Sequence, residues 1–547
     1  MQGIRYDPVM LDLAICILAK TSRSTYEMLR EIFLLPDPSH VYRLSAKLVT
    51  TNSSKTRQFH DVTLSSMNDT FTKMGFPVGS FERVGKLSFD AVNANETIEH
   101  DAKSGLLVGL DQSMKYSNVR KKFMDLTKSL GENNDEEEEE DESNESEETE
   151  ENAVADDQPS IIDNSKTASQ HLCFRWTSLD TAMDMSHVVA TVDVSCVTPE
   201  VVSAMAIEVI DELAATYGLD TAGVCADDAG ENAKFANTFS TLKAKDYIDD
   251  SLTGAEEFSS IDFSVKVALR DSTTGEVVVL LPDMPHLLKN IVTAMELSSK
   301  PSSKRDLKYG DNPINLNAIK DPWEKTGGKS NQQHPTKLGI RHFEKDQYSR
   351  MKVYLAAQVL SNSVVEMIKS ATRDASIKLS LSKPKYRRLI EFIEKMDALV
   401  DLCNGRDGKN FSPTNARDKQ KELLSILAWF SDWEKDHKDM VKKEKADEYN
   451  FFAPSTWKCI QRLILGLCVM IEELCIKKQR TIVPRRLNTD DLENHFANCR
   501  QFVGGSHDKL TCRGWLAAHA KASKFKFGSR GNNAFSPLFA RRKRYTL

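Results

Sequence analysis

A succession of short apolar segments most constrains what this chain can fold into. Five segments with apolar cores and polar borders predict β-strands: residues 86–98, 105–111, 186–196, 219–226 and 276–281. Residues 199–217, between the third and the fourth segment, have the apolar spacing of a helix. Three leading strands followed by alternating helices and strands predict a mixed α/β sheet.

Helical spacing dominates the rest of the chain. Residues 306–481 predict a mainly helical region, and residues 489–502 predict one further helix. The opening residues predict a small helical module, which is compatible with a helix-turn-helix and equally with a helical brace. Because the chain has 547 residues, it is too long for a single hydrophobic core, and we expect several structural units.

The charge of the chain is unevenly distributed. Sixteen acidic residues and no Lys or Arg stand between Glu132 and Asp157, so this tract has little to bury, repels itself and is predicted to be disordered. The formal net charge is −7, which leaves +9 for the remaining residues. A basic body suits a polyanionic partner such as nucleic acid, although an ordinary mildly basic surface explains the charge equally well.

Cysteine usage and hydropathy indicate the cellular setting. The ten cysteines form no CxxC pair, which is typical of reduced thiols in an intracellular protein. No apolar stretch is long enough for a membrane span, so no membrane role is expected. The basic run 541–544 predicts a nuclear-import signal or a phosphate-binding tail.

Two aspartates in the predicted strands are candidates for chemistry. Asp90 lies inside the first strand, where a carboxylate is costly unless it is paired or holds a cation. Asp227 closes the fourth strand, at the end where open α/β sheets usually bind ligands, and Asp228 is the alternative at this position. Either aspartate alone is also explained as a turn or capping residue.

A third carboxylate, Glu493, lies in the predicted helix that Thr489 caps. Asp490 shares a helix face with Glu493, whereas Leu492 and Phe496 are placed to face a core. Three carboxylates on separate elements can hold two divalent ions for phosphodiester displacement, and oxygen ligands favour Mg²⁺ or Mn²⁺. The residues alone do not show that the three converge.

Potential zinc ligands are present near the end of the chain. They are His495, Cys499, His507, Cys512 and His519. Their spacing fits no common zinc finger, so we predict no zinc site from the sequence.

Six blocks, in conserved order along the chain, resemble the P-element-type DNA transposases and their THAP-related relatives in animals. They are residues 24–36, 87–92, 227–232, 282–290, 351–361 and 490–505. The resemblance implies an RNase H-like α/β core that is interrupted by a large helical insertion. It also implies that Asp90, Asp227 and Glu493 are the catalytic, metal-binding carboxylates.

The resemblance divides the chain into five regions. They are an N-terminal helical module at 1–84, the first part of the RNase H-like core at 85–300 with a disordered acidic tract at about 130–168, a helical guanine-nucleotide-binding insertion at 301–482, the last catalytic helix at 483–520, and a basic tail at 521–547.

The resemblance further implies cofactors and partners. The insertion is expected to bind GTP as an assembly cofactor, with five candidate ligands: Lys337, Lys352, Asp401, Asn404 and Asp490. No Walker-type phosphate-binding motif is present, so the residues alone would not have suggested GTP. DNA is the expected partner, and the protein is expected to form a homo-oligomer in the nucleus.

The sequence also departs from the family. We expect no zinc-binding THAP domain before the helical module. The strand motif around Asp90 lacks its second acidic residue, and Thr489 replaces the usual Gln. Three functions therefore stay open. The first is an Mg²⁺-dependent DNA transposase, and the second is a domesticated, catalytically inactive DNA- or chromatin-binding protein. The third is a related nuclease or resolvase that uses the same carboxylates without strand transfer.

Overall fold

The computed structural model describes eleven continuous stretches of the chain and six residues between 10 and 18. The stretches are 23–41, 60–101, 106–112, 167–180, 185–227, 230–328, 334–350, 352–373, 383–405, 410–502 and 510–528. The acidic residues from Glu132 to Asp157, the alternative carboxylate Asp228 and the basic run 541–544 lie outside the described residues. The expectations about them stay predictions.

The described residues contain twelve strands. They are β1 Val84–Asn95, β2 Glu99–Asp101, β3 Leu106–Val108, β4 Gln170–Ser178, β5 Ser186–Val194, β6 Asp220–Ala226, β7 Leu242–Lys243, β8 Lys266–Arg270, β9 Val277–Pro282, β10 Lys308–Tyr309, β11 Asn312–Pro313 and β12 Leu510–Thr511. Eight of them form one sheet in the order β5-β4-β1-β6-β9-β8-β7, with β12 paired to the end of β1.

The pairing within this sheet defines the fold. Strand β4 is antiparallel to both β1 and β5, whereas β6 is parallel to β1 and β9 is parallel to β6. Three antiparallel strands followed by two parallel ones are the arrangement of an RNase H-like core. The predicted fold class is confirmed.

Residues 105–111 contain a strand, as predicted, but it is not part of the core sheet. The second strand of the core is β4, and not residues 105–111, because Leu106–Val108 pairs with Glu99–Asp101 in a separate hairpin. The acidic tract therefore lies between the first and second core strands. Strand β4 lacks the apolar pattern of a buried strand because it contains His171 and Arg175. These two side chains can be buried because they are hydrogen-bonded to Asp193 and Ser186, respectively.

Fifteen α-helices have defined bounds, and further helical residues are described between 10 and 18 and at 38–41. The fifteen are α1 Arg23–Phe33, α2 Asp61–Lys73, α3 Pro199–Tyr217, α4 Gly230–Phe239, α5 Asp250–Thr253, α6 Met284–Leu297, α7 Leu316–Lys325, α8 Gln347–Arg350, α9 Val353–Val359, α10 Asn362–Arg373, α11 Lys383–Asn404, α12 Ala416–Lys442, α13 Pro454–Met470, α14 Asp490–Phe502 and α15 Cys512–Gly528. A π-helical turn, Ile471–Lys477, extends α13. No helix within these stretches is long and apolar enough to cross a bilayer.

Helices cover both faces of the sheet. Alternate residues of β9 enter different cores, with Val278 and Leu280 on the side of α3, and Val279 and Leu281 on the side of α13. A strand that is apolar on both faces is typical of a sheet that is buried on both sides. Helix α13 lies so close that a Cβ added at Gly466 would sit 3.1 Å from the carbonyl oxygen of Leu280.

The last described elements return the chain to the core. Helix α14 packs against α15, and β12 runs parallel to the end of β1 through the pair Ala94 and Leu510. Leu492 is fully buried and Phe496 is 3% exposed, as their spacing predicted. This packing brings the first turn of α14 to the edge of the sheet where β6 ends.

Candidate active site

Asp90, Asp227 and Glu493 line one cleft, which we call the carboxylate cleft. Its other lining residues are Phe89, His286, Thr489 and Leu492. The cleft has a volume of about 40 Å³, and a single water needs roughly 10–15 Å³, so it has room for small ions and their water ligands. The structure brings together the three carboxylates that the sequence singled out.

Strand register explains why the two aspartates meet. Ser88 on β1 is paired in parallel with Cys225 on β6. Asp90 and Asp227 each follow this pair by two residues, so they leave neighbouring strands at the same level. Asp227 stands just beyond the end of β6, where the chain turns away from the sheet.

The cleft concentrates negative charge. Burial and the neighbouring Asp227 raise the pKa of Asp90 to about 7, although the backbone N–H of Ala91 donates to its Oδ1 at 2.8 Å. Burial also raises the pKa of Glu493. Carboxylates crowded in this way favour a bound cation or a proton.

Asp283, which is fully buried, organises the wall of the cleft. It caps α6, and its Oδ2 accepts hydrogen bonds from the backbone N–H of His286 at 3.1 Å and from Nδ1 of His286 at 2.7 Å. Burial opposes the charge on Asp283, but these hydrogen bonds and that from Thr489 lower its pKa. The hydrogen bond to Asp283 raises the pKa of His286. Nε2 of His286 lies 3.6 Å from Oε1 of Glu493.

Asp491 ties the first turn of α14 to the sheet. Its Oδ1 accepts a hydrogen bond from Nζ of Lys86 at 2.8 Å, and its Oδ2 accepts from the hydroxyls of Thr177 and Ser186. Nε of Arg175 lies 3.5 Å from the same Oδ2. Burial opposes ionisation, but Lys86 and Arg175 hold the pKa of Asp491 far below its usual range.

Sequence reasoning missed the roles of Asp283, His286, Asp491 and Lys86. Asp283 and His286 belong to a block that resembles the family, but the sequence alone indicates no role for them or for Asp491. One feature of the sequence could have indicated the pair of Lys86 and Asp491. Lys86 stands within a buried strand, where a lysine requires an anionic partner.

The predicted nucleotide ligands lie on separate elements. Asp401 and Asn404 are in the last turn of α11, and Asp490 opens α14. Lys337 is exposed in the segment before α8, and Lys352 is exposed immediately before α9. Their role in binding a nucleotide stays a prediction.

Asp401 faces a cleft at the surface of the insertion. The cleft has a volume of about 290 Å³ and is also lined by Glu394, Asp397 and Glu422. This acidic wall can accept hydrogen bonds from the N–H groups of a nucleotide base, and it repels phosphate groups.

Together, these features define the class of the protein, which is an RNase H-like fold with a carboxylate cleft and a helical insertion. It has an RNase H-like core, three carboxylates from separate elements meet in one cleft, and a helical region is inserted between β9 and α14.

Comparison with known proteins finds a solved structure with a similar fold and a family that matches the insertion. The chain is similar to the P element transposase of Drosophila, as seen in its strand transfer complex, with a TM-score of 0.60 and 14% identity over 97% of this chain and 94% of that one. Residues 286–414 match the family described as the TNP-like, GTP-binding insertion domain. No curated protein matches. The resemblance drawn from the sequence blocks is confirmed at two levels: the fold is similar to that of the P element transposase, and residues 286–414 match the GTP-binding insertion domain.

Proposed function

We propose that this protein is a DNA transposase that cleaves DNA and joins 3′ ends, with Asp90, Asp227 and Glu493 as its catalytic carboxylates. The observation that carries the proposal is that these three residues, from β1, the end of β6 and α14, line one cleft. A structural role would not require three carboxylates to share a small polar cleft, since each one raises the cost of ionising the others.

The residues of the cleft fit divalent cations. Carboxylate oxygens are the ligands that Mg²⁺ and Mn²⁺ prefer, and a cation would offset the burial and the neighbouring negative charge that together raise the pKa of Asp90 to about 7. Bound ions would supply an activated water or 3′-hydroxyl and would stabilise the leaving oxygen of the phosphodiester.

The protein's own residues position Glu493 for this role. Lys86 and Asp491 fix the first turn of α14 against β1, while Asp283 holds the backbone N–H of Thr489 at 2.7 Å. Because Asp283 also orients His286, one imidazole nitrogen faces Glu493. His286 is therefore a positioning residue for Glu493.

We further propose that GTP binds to the insertion and acts in assembly of a homo-oligomer on DNA. The match of residues 286–414 to a GTP-binding insertion domain supports this, and it includes four of the predicted ligands but not Asp490. A carboxylate such as Asp401 can accept hydrogen bonds from N1 and N2 of guanine, while Lys337 and Lys352 can meet phosphates. The basic run 541–544 supports a nuclear location.

A plasmid-nicking assay with Mg²⁺ or Mn²⁺ tests the catalytic residues. Asp90→Ala, Asp227→Ala and Glu493→Ala are each expected to abolish nicking while the circular dichroism spectrum is unchanged. Asp220→Asn is the matched control, because Asp220 is a half-buried carboxylate at the opposite end of β6. Full nicking activity in any one of the three variants would remove that residue from the mechanism.

The second candidate function is a domesticated protein that binds DNA or chromatin without cleaving it. The motif around Asp90 favours this candidate, because Ala91 and Val92 leave it without a second acidic residue. DNA binding by the wild-type protein, without nicking or strand transfer under any divalent ion, would support it over the transposase.

A further inference from the structure

A buried group of imidazoles and a thiol lies between the sheet and the last two helices, apart from the residues that line the carboxylate cleft. We call it the histidine–thiol cluster, and its members are His171, Asp193, His495, Cys499 and His519. All five are at most 8% exposed. They come from β4, β5, α14 and α15, so only the folded chain assembles them.

Three members present donor atoms to a common point. His495 and Cys499 are four residues apart on α14 and therefore lie on one helix face, and His519 approaches from α15. Sγ of Cys499 lies 3.4 Å from Nε2 of His495 and 3.7 Å from Nδ1 of His519. The two nitrogens are 2.7 Å apart.

These distances are close to those of a tetrahedral zinc site. Zn–N and Zn–S bonds of about 2.0–2.3 Å place neighbouring donor atoms roughly 3.3–3.7 Å apart. Both sulfur–nitrogen distances agree with this range, and the two rings would have to separate by about 0.6 Å to admit the ion.

The remaining two members orient His519. Oδ1 of Asp193 accepts a hydrogen bond from Nδ1 of His171 at 2.6 Å, which leaves Nε2 of His171 as an acceptor. Nε2 of His519 lies 3.2 Å away and donates to it, so Nδ1 of His519 is unprotonated and faces His495 and Cys499. A histidine whose second ring N–H is held by such a chain is typical of metal ligands.

We propose that His495, Cys499 and His519 bind one zinc ion. Two imidazoles and a thiolate select zinc over Mg²⁺, whereas the carboxylate cleft has the opposite preference. Cys173 on β4 is buried in the same apolar core as Cys499, but it lies outside this group of donor atoms, so we assign three ligands among the described residues. The site is closed to solvent, as structural zinc sites are.

Zinc at this place would clamp α14 to α15. Glu493 precedes His495 by two residues on α14, so the ion would hold the helix that carries the third carboxylate. The proposal does not depend on transposase activity, because metal content and stability are measured directly.

Mass spectrometry of metals in the full-length protein, purified without chelators, is the first test. We expect one zinc ion per chain, and we expect a zinc chelator to lower the melting temperature. A zinc-free wild-type protein whose melting temperature is unchanged by added zinc would overturn the proposal. His495 then donates to Nδ1 of His519, and the cluster is a hydrogen-bonded network without a metal.

Variants separate binding from folding. His519→Cys keeps a zinc-binding donor and should retain zinc, whereas His519→Phe should lose it. Cys499→Ala should lose zinc, and Cys459→Ser, a buried cysteine of α13 outside the cluster, should keep it. Zinc content in Cys499→Ala equal to that of Cys459→Ser would contradict the assignment.

Asp193→Asn tests the orienting chain without touching a ligand. Its zinc affinity should fall about 10–100-fold, as is usual when the partner of a metal-bound histidine is lost. Cobalt(II) in place of zinc should give the visible bands of tetrahedral cobalt–thiolate in the wild-type protein and not in Cys499→Ala. Octahedral cobalt spectra in both proteins would overturn the site.

Discussion

Asp283 accepts a hydrogen bond from the backbone N–H of Thr489 at 2.7 Å, across a separation of 206 residues. The contact joins the cap of α6 to the residue that precedes α14, and the whole helical insertion lies between them in sequence. The buried carboxylate of Asp283 thus joins the two parts of the RNase H-like core that the insertion separates in sequence. It also holds His286, which lines the carboxylate cleft.

Replacing this carboxylate tests the connection. Asp283→Ala leaves the N–H of Thr489 without its acceptor and frees His286, so we expect a loss of about 1–3 kcal/mol in the free energy of unfolding. Urea denaturation measures the loss, and nicking should fall with it. Asp262→Ala, at an exposed turn, is the control. A variant as stable as this control would show that Asp283 does not join the two segments.

The pair of Lys86 and Asp491 is expected to be costly to break on one side only. Lys86→Met leaves the partly buried carboxylate of Asp491 without its main cation, and the expected loss of stability is about 1.5–3 kcal/mol. The double variant Lys86→Met with Asp491→Leu should recover much of this loss. A double-mutant cycle with no coupling between the two positions would contradict the pairing.

Asp90 should make the metal-free protein less stable at neutral pH. Its folded pKa is about 7, whereas an unfolded Asp titrates near about 3.9. Between these values the unfolded chain has released a proton that the folded protein retains, so stability falls as the pH rises from about 4 to about 7.

Asp90→Asn cannot ionise and should lack this fall. With divalent ions removed, we expect the variant to be more stable than the wild type at pH 8 by roughly 1–2 kcal/mol, a discounted value because the cleft is open to solvent. Thermal denaturation between pH 4 and pH 8 in a chelating buffer measures it. An equal loss of stability with rising pH in both proteins would show that Asp90 is not the titrating group.

Nucleotide binding can be assigned within one acidic cleft. If Asp401 recognises guanine, Asp401→Ala should weaken GTP binding at least about tenfold and reduce the preference for GTP over ATP, which corresponds to about 1.4 kcal/mol. Asp397→Ala changes a neighbouring carboxylate of the same cleft and should bind GTP like the wild type. Calorimetric titration distinguishes them, and equal weakening in both variants would indicate general electrostatics in place of base recognition.

The sequence predicted the strands that contain continuous apolar segments. Strands β1, β5, β6 and β9 follow such runs closely, and Leu492 and Phe496 face the core that their spacing implied. Strand β4 was not predicted because its buried polar side chains are hydrogen-bonded to residues on β5, and no local sequence pattern indicates these partners.

The candidate site divides in the same way. A carboxylate inside an apolar strand is unusual, so Asp90 could be identified as a candidate from the sequence. Its proximity to Asp227, however, depends on the pairing of Ser88 with Cys225, which the sequence does not show. The histidine–thiol cluster is the extreme case. Its three proposed ligands were visible in the sequence, but their spacing fits no common finger, because they meet only through the packing of α14 against α15.

The central claim is that the carboxylate cleft catalyses DNA strand transfer. The most direct measurement is the joining of a pre-cleaved DNA end with a free 3′-hydroxyl to a target duplex, with Mg²⁺ or Mn²⁺, by the wild-type protein, Glu493→Gln and Asp220→Asn. We expect joined product with the wild type and Asp220→Asn, and none with Glu493→Gln. Joining by Glu493→Gln at the wild-type rate, or in the absence of any divalent ion, would contradict the claim.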